Sequence, residues 1–186
     1  MQARAKAVEQ TRRRIIAAAT RLFAEQPFDL VSLARVARAS GIGIATVVRQ
    51  FETKEQLFAA AAAAATESLD AEAASTPANE PSAAVRSTIR NYERYGDALV
   101  GLLAQEQRVP MIREQLAHGR SVHRDWVENV FAQVLGRRRG RARQVRLAQL
   151  MAVTDVSHWK LLRRDLGLSR RETERAMLEM VEGLCR

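Results

Sequence analysis

The chain has 186 residues, of which 47% are apolar, and it contains only 9 Gly and 4 Pro. This composition favours a folded helical protein and excludes a disordered or low-complexity one. The formal net charge is +9 and the excess lies at the two ends: residues 1–60 carry 10 basic and 5 acidic side chains, residues 61–135 carry 7 and 10, and residues 136–186 carry 13 and 6. A basic N-terminal third suits a polyanionic partner, and an arginine-rich solvated surface explains the charge equally well.

Cysteine content and hydropathy exclude several further classes. The one cysteine, Cys185, allows neither an intrachain disulfide nor a thiolate metal cluster. No apolar run approaches the ~20 residues of a membrane span, and the basic N-terminus lacks the apolar segment of a signal peptide. Metal-spaced histidines, a nucleophile elbow and a glycine-rich phosphate loop are all missing from the sequence. We therefore expect a cytoplasmic protein without membrane contact, cofactor or metal, and not an enzyme.

The first third of the chain predicts four helices. Thr11 is a candidate N-cap for a helix that Pro27 ends, and Ser32 is a candidate cap for a short helix that ends at Gly41. A second short helix is predicted over residues 44–50. A capping-box pattern at residues 53–56 then begins a long helix that reaches about residue 74.

The remaining sequence predicts helices and a linker, without the alternation of β-strands. Residues 75–82 are the clearest linker, followed by a helix over residues 82–105. We predict a break at Pro110, one helix over residues 111–117, another over 119–135, and a basic segment after it. An apolar helix over residues 145–166 ends at Gly167, and a capping box at Ser169 and Glu172 begins the last helix.

Residues 36–51 have the organisation of a helix–turn–helix. Val36, Ala37 and Phe51 form an inward apolar face, and Gly41 supplies the turn. A helix that enters the major groove needs small or polar outward residues for close approach to the bases, and flanking cations for the phosphates. The outward residues here are Ile44, Ala45, Thr46, Arg49 and Gln50, and the flanking cations are Arg35, Arg38, Arg49 and Lys54.

The residues around this helix–turn–helix, from 11 to 58, resemble a known protein family. The segment TRRRIIAAATRLFAEQPFDLVSLARVARASGIGIATVVRQFETKEQLF resembles the DNA-binding domain of TetR-type transcriptional regulators. The matching positions are Arg12, Ile15, Ala18, Leu22, Phe23, Phe28, Ser32, Val36, Ala37, Ala39, Gly41, Ile42, Ala45, Thr46, Phe51, Lys54, Glu55 and Leu57. The resemblance implies an all-α fold: an N-terminal three-helix helix–turn–helix domain (residues 1–58), joined by a long helix to a C-terminal helical ligand-binding and dimerisation domain (residues 59–186).

The resemblance also implies which residues meet DNA. Its DNA-binding set consists of Arg12, Ser32, Gly43, Ile44, Ala45, Thr46, Arg49, Gln50 and Lys54. Ser32 can contact a phosphate, cap its helix, or do both. Arg12 lies in the N-terminal arm and either touches the DNA backbone or minor groove or is disordered. The family usually has Gly in place of Pro27, Ser in place of Gly43, Tyr in place of Val48, and His or Tyr in place of Gln50. Loss of the tyrosine removes one phosphate contact, whereas Gln50 can still bind a phosphate or a base.

A second group of residues is a candidate small-molecule site. Apolar walls with a few polar groups suit such a site, and ordinary helical core is the competing interpretation for each residue. Asp155 and His158 are three residues apart on one predicted helix, so we expect them to share a face and, if buried, to need partners. The candidate ligand-binding residues are Tyr92, Tyr95, Leu99, His123, Trp126, Asp155, His158 and Trp159, with Phe131 as a further wall.

Together these features predict a homodimeric, ligand-responsive regulator, and by family habit a repressor, that releases a near-palindromic double-stranded operator when an unidentified small-molecule effector binds. The alternative is a helical carrier or interaction protein without sequence-specific DNA binding. The arginines between residues 137 and 143 could form a second DNA site or a solvated face.

Overall fold

In the computed structural model, the structure describes the backbone of residues 2–186 and the side chains of residues 5–67 and 75–186. This part of the chain is all-α and contains no strand. The helices are α1 Gln2–Glu25, α2 Leu33–Ser40, α3 Ile44–Phe51, α4 Lys54–Ala74, α5 Pro81–Leu103, α6 Pro110–Val130, α7 Ala132–Gly136, α8 Gly140–Val153, α9 Val156–Lys160 and α10 Arg170–Cys185. A 3₁₀ turn covers Phe28–Leu30, and a π-helical turn over Leu161–Asp165 continues α9.

Helix α1 begins nine residues earlier than predicted. Thr11 lies inside the helix and is not its N-cap, since its hydroxyl donates to the carbonyl of Ala7 at 2.9 Å. Residues 2–10 contain Ala, Gln, Lys and Arg without a breaker, so propensity extends the helix toward the N-terminus. The predicted end before Pro27 is confirmed.

The helix–turn–helix forms with the predicted boundaries. The Ser32 hydroxyl accepts the N–H of Arg35 at 3.3 Å and caps α2, which ends at Gly41 with φ +65°. The left-handed conformation at Gly41 favours glycine because a Cβ there would be strained. Thr53 accepts the N–H of Gln56 at 3.1 Å and caps the first turn of α4.

The predicted helix break near residue 118 is wrong. Helix α6 runs without interruption from Pro110 to Val130 and includes Gly119. Pro110 occupies the first turn of α6, where its missing N–H costs no hydrogen bond, so it begins a helix. An exposed glycine inside a helix costs only about 1 kcal/mol, which the packing of the helix offsets.

The single helix predicted over residues 145–166 is also wrong. Helix α8 ends at Val153, and Asp155 becomes the N-cap of α9 because its carboxylate accepts the N–H of Ser157 at 2.8 Å. Aspartate competes for backbone donors and so favours a helix start over a helix interior. The last helix is as predicted: Ser169 and Glu172 form a reciprocal capping box at the start of α10.

Two apolar clusters make up the core. The first joins α1–α4, with Ile15, Val36, Phe51 and Leu57 at its centre, and it also contains Ile112 and Leu116 of α6. The second joins α5 to α10 around Trp159, Phe131 and Met177. The apolar core therefore continues past residue 58 into the C-terminal helices. None of the helices in the described part combines the length and apolar character that a membrane span requires.

The contact between Gly96 of α5 and Trp159 of α9 gives a first prediction. A Cβ at Gly96 would lie 2.4 Å from Cζ3 of the fully buried Trp159 ring. We expect Gly96→Ala to lower the free energy of unfolding by about 1–3 kcal/mol, the usual cost of overpacking. Urea unfolding measures it. Gly101→Ala in the same helix is the control, because nothing lies within 4 Å of its Cβ position and helix propensity should make it neutral or stabilising. Equal effects of the two variants would contradict the steric explanation.

Candidate nucleic-acid interface

Helix α3 buries one face and exposes the other. Val47 and Phe51 are almost fully buried in the first apolar cluster, whereas Ile44 and Val48 keep 47% and 43% of their surface exposed. The two exposed residues are four apart and form one apolar ridge on the solvent side. Such a ridge offers apolar contact to any partner that meets this face of α3.

The other predicted contact residues of α3 surround this ridge. Ala45 and Arg49 are exposed, and Thr46 is partly exposed. Gly43 is exposed before the helix, and nothing lies within 4 Å of its Cβ position, so a serine there would fit. Gln50 is half-buried, and its Oε1 is buried without a hydrogen-bond partner.

Two of the predicted cations also hold the domain together. The Arg12 guanidinium lies 4.5 Å from the centre of the Phe51 ring. The Lys54 ammonium donates to the carbonyl of Phe28 at 3.1 Å and lies 4.2 Å from the centre of its ring. A guanidinium has five donors and an ammonium three, so both keep donors for a phosphate.

Two further arginines have structural partners around α2. Arg35 donates to the Leu30 carbonyl at 3.0 Å. Arg14, which sequence reasoning did not single out, donates to the carbonyl of Ser40 at 2.9 Å and so satisfies the C-terminal end of α2. No local sequence signal marks Arg14, because its partner lies 26 residues further along the chain. Ser32 caps α2 as described above, and its phosphate contact stays a prediction.

The candidate ligand residues cluster around Thr154, which sequence reasoning also missed. Thr154 is fully buried at the end of α8, and its hydroxyl lies 2.8 Å from the Leu150 carbonyl. The Tyr92 hydroxyl donates to the Thr154 carbonyl at 2.9 Å, and His123 Nε2 lies 2.9 Å from the Thr154 hydroxyl oxygen. If the hydroxyl proton goes to Leu150, the bond from His123 requires a proton on Nε2.

The aromatic members of the predicted set pack against this centre. The Trp159 ring lies 5.9 Å from Tyr92 and its Nε1 donates to Glu93 at 3.1 Å. The Trp126 ring stacks at 6.0 Å on His123, and its Nε1 is buried without a partner. His158 Nε2 is buried without a partner as well. These side chains form a packed centre that contains two ring nitrogens without a hydrogen-bond partner.

The remaining predicted residues lie at its edges. Leu99 packs against both apolar clusters, and Tyr95 lies half-buried under the Arg94 guanidinium. Asp155 is the N-cap of α9 and so lies at the start of the helix that contains His158, not inside one long helix with it. Besides the larger effect of burial, the charge of its carboxylate favours higher pKa values for three rings in the cluster, those of Tyr92, His123 and His158. Sequence reasoning also missed the ion pair between Arg163 and Glu93, at 2.7 Å, in which the Glu93 carboxylate is the one that accepts the Trp159 Nε1 hydrogen bond.

Burial controls the protonation of this cluster. Burial raises the pKa of the Tyr92 phenol far above its usual value, and the charge of Asp155 adds to the effect. Burial lowers the pKa of His123 and His158, partly opposed by the same carboxylate. Tyr92 is therefore neutral at all physiological pH, and the two histidines are neutral near pH 7.

The lowered histidine pKa values predict a pH-dependent stability. Between the folded pKa and the unfolded value of about 6.5, the unfolded chain binds more protons, so stability falls as the pH falls below about 6.5. Hydrogen bonds from arginine lower the pKa values of Glu93 and Asp97. Their contribution to the stability of the folded protein is therefore lost only below about pH 4.5. We expect a lower Tm at pH 5.5 than at pH 7.5, by about 2–4 °C for each kcal/mol lost.

Substitution of single histidines tests the assignment. Thermal unfolding of His123→Gln should show a weaker dependence on pH between 5.5 and 7.5 than the unsubstituted protein. His118→Gln is the matched control, since His118 is exposed on the same helix and should leave the slope unchanged. An unaltered slope in the His123 variant would show that its buried neutral ring is not the cause.

Comparisons with known proteins agree with the helix–turn–helix. Residues 15–61 match the sequence model of a family described as bacterial regulatory proteins, tetR family. No curated protein matches the chain.

Solved structures extend the likeness to the C-terminal helices. A transcriptional regulator from Rhodococcus sp. Rha1 is 19% identical, with a TM-score of 0.72 over 93% of this chain and 95% of its own. A tetR-family transcriptional regulator from Streptomyces coelicolor is 18% identical, with a TM-score of 0.73 over 93% and 81%. GusR from Salmonella enterica is 23% identical, with a TM-score of 0.67 over 94% and 95%. Residues 15–61 are therefore similar to the N-terminal domain of tetR-family proteins, and the chain as a whole shares its fold with solved transcriptional regulators of that kind.

Proposed function

We propose that this chain is a repressor that binds a near-palindromic operator as a homodimer and releases it when a small molecule binds among its C-terminal helices. The observation that carries the DNA-binding part is the exposed face of α3. Eight residues give a helix about 12 Å long, which fits a major groove about 12 Å wide. A DNA partner places the protein in the cytoplasm.

The chemistry of α3 favours a mixed mode of readout. Ile44 and Val48 offer apolar contact to thymine methyl groups, and Arg49 offers donors to phosphate or guanine. The amide Nε2 of Gln50 can donate a hydrogen bond to a phosphate oxygen or to an acceptor on a base edge. Val48 has no hydroxyl to meet a phosphate, so Arg12, Arg49 and Lys54 carry more of the backbone contact.

Exposed apolar residues on the last helices support a homodimer. Val145 of α8 and Met180 of α10 keep 42% and 40% of their surface exposed, and Leu161 and Leu166 between them are exposed as well. Paired with their copies, α8 and α10 form a four-helix bundle with two-fold symmetry. Two reading helices about 34 Å apart, one turn of DNA, then face successive half-sites.

The cluster around Thr154 is the proposed effector site. Its unsatisfied Trp126 and His158 nitrogens can bind polar groups of a ligand, and the rings of Tyr92 and Trp159 offer apolar contact. A ligand there shifts the spacing of the reading helices only if it binds one spacing more tightly than the other. Helix α4 connects the two parts of the chain and moves with that change.

Selection from genomic DNA tests operator binding. Purified protein at about 150 mM salt, where non-specific affinity is weakened, should recover fragments that share a near-palindrome. Arg49→Ala should then weaken binding to that fragment by about tenfold, the cost of one lost DNA contact. The control is Arg86→Ala, which removes the same charge from an exposed position on α5. Recovery of random DNA, or equal loss in both variants, would favour a helical carrier whose basic surface binds DNA without specificity.

Sedimentation tests the dimer. Met180→Glu introduces a charge at the proposed bundle and should shift the protein from dimer to monomer at micromolar concentration, because an unpaired buried charge is strongly unfavourable. Val8→Glu is the matched control, since Val8 is exposed on α1, outside the bundle. A Met180 variant that remains dimeric would place the interface elsewhere.

A further inference from the structure

Gln105 is a buried amide in the connection between α5 and α6. It is only 8% exposed, and both ends of its side chain are hydrogen-bonded. Its Oε1 accepts the N–H of Phe28 at 2.8 Å, and its Nε2 donates to the Gly101 carbonyl at 2.9 Å. Because one partner can only donate and the other can only accept, the orientation of the amide is unambiguous.

Backbone hydrogen bonds within the α5–α6 connection also hold Gln105 in place. Its N–H donates to the Leu102 carbonyl at 2.9 Å, and its own carbonyl accepts the N–H groups of Arg108 and Val109, each at 3.0 Å. The residue therefore belongs rigidly to the α5–α6 connection. Through its side-chain amide, the position of this connection is coupled to Phe28 in the N-terminal domain.

Phe28 is held from the opposite side by the first turn of α4. The Lys54 ammonium binds its carbonyl at 3.1 Å and covers its ring. The ring stacks on Phe23 of α1 at 5.7 Å and meets the edge of Phe58 of α4 at 5.4 Å. Phe28 thus joins α1, α4 and the α5–α6 connection at one residue.

From Phe28 the chain leads directly to the helix–turn–helix. The 3₁₀ turn covers Phe28–Leu30, the next residue is the buried Val31, and Ser32 caps α2. Arg35 of α2 binds back to the Leu30 carbonyl at 3.0 Å. A displacement of Phe28 therefore moves the start of α2, and α2 packs against the reading helix α3.

We propose that Gln105 is a positioning residue that sets the orientation of the helix–turn–helix through Phe28, by a route that does not pass along α4. Its consequence for operator binding rests on the proposed function. The nearby ion pair of Arg108 with Asp29, at 3.3 Å, is exposed on both sides and contributes little to this link. The link depends on the buried amide.

Hydrogen exchange of the full chain tests the proposal without DNA. Gln105→Leu keeps the approximate volume and leaves the Phe28 N–H without an acceptor. We expect exchange of the Phe28 amide to rise by about tenfold or more, with a smaller rise in α2 and α3, because a buried donor without a partner favours the open state. Amides of α10 around Val181 should not change. Gln107→Leu, an exposed position in the same connection, should leave every segment unchanged.

Lys54→Met supplies a second variant that releases Phe28 from its other side. It should raise exchange in the same segment, and it covers the case in which Gln105→Leu fails to fold. Faster exchange that is uniform over the whole chain in both variants would mean a merely structural role and would overturn the proposal. So would unchanged exchange of α2 and α3.

The operator fragment gives the functional arm of the test. Gln105→Leu should bind it about three- to tenfold more weakly, and Gln107→Leu should bind it as the unsubstituted protein does. Unchanged affinity alongside faster exchange of α2 and α3 would overturn the positioning role. If the unsubstituted protein recovers no shared fragment, the proposed function fails, and the exchange data still decide whether Gln105 orients the helix–turn–helix.

Discussion

Burial of apolar surface constrains the N-terminal helices more tightly than any single contact. A unit of about 60 residues buries only about 60% of the surface that its unfolded chain exposes, which leaves little stability to spare. Here Ile112 and Leu116 of α6 complete the cluster that begins with Ile15 and Phe51. The helix–turn–helix therefore shares its core with the C-terminal helices, and the two cannot move apart without exposing apolar side chains.

That shared core restricts how a change among the C-terminal helices can act. The second cluster is closed by Trp159, whose ring lies directly on the backbone of Gly96 in α5. Any group that displaces this ring must move α5 or α9, since packed interiors deform little. Gln105 directly follows α5 and accepts the Phe28 N–H, so a displacement of α5 also moves Phe28. Packing at one end and a buried amide at the other thus make α5 a rigid connection.

The sequence was a sound guide where a local signal was strong. Gly41, Ser32 and the capping box at Ser169 predicted helix ends correctly because each acts through its own backbone neighbourhood. Prediction failed where two local signals competed. Gly119 suggested a break that packing of α6 overrode, and the apolar run after Val145 concealed the helix start at Asp155.

The residues of the candidate sites also differ in whether a local sequence signal marks them. The exposed residues of α3 follow from a 3.6-residue period and from the family pattern, so sequence alone could find them. Thr154, Gln105 and Arg14 could not be found in this way, because each owes its role to a partner more than 20 residues distant along the chain. A buried hydroxyl or amide carries no periodic signal, and only the folded chain reveals what it binds.

The cations around α3 have a double role that bears on affinity. Arg12 covers the Phe51 ring, and Lys54 is bound to the Phe28 carbonyl, so both side chains are ordered before any partner arrives. Ordering a long charged side chain on binding costs about 0.5–1.5 kcal/mol, and a side chain that is already ordered avoids most of that cost. In the proposed complex this offsets part of the phosphate contact that Val48 cannot make. The same contacts that stabilise the helix–turn–helix then also prepare it for DNA.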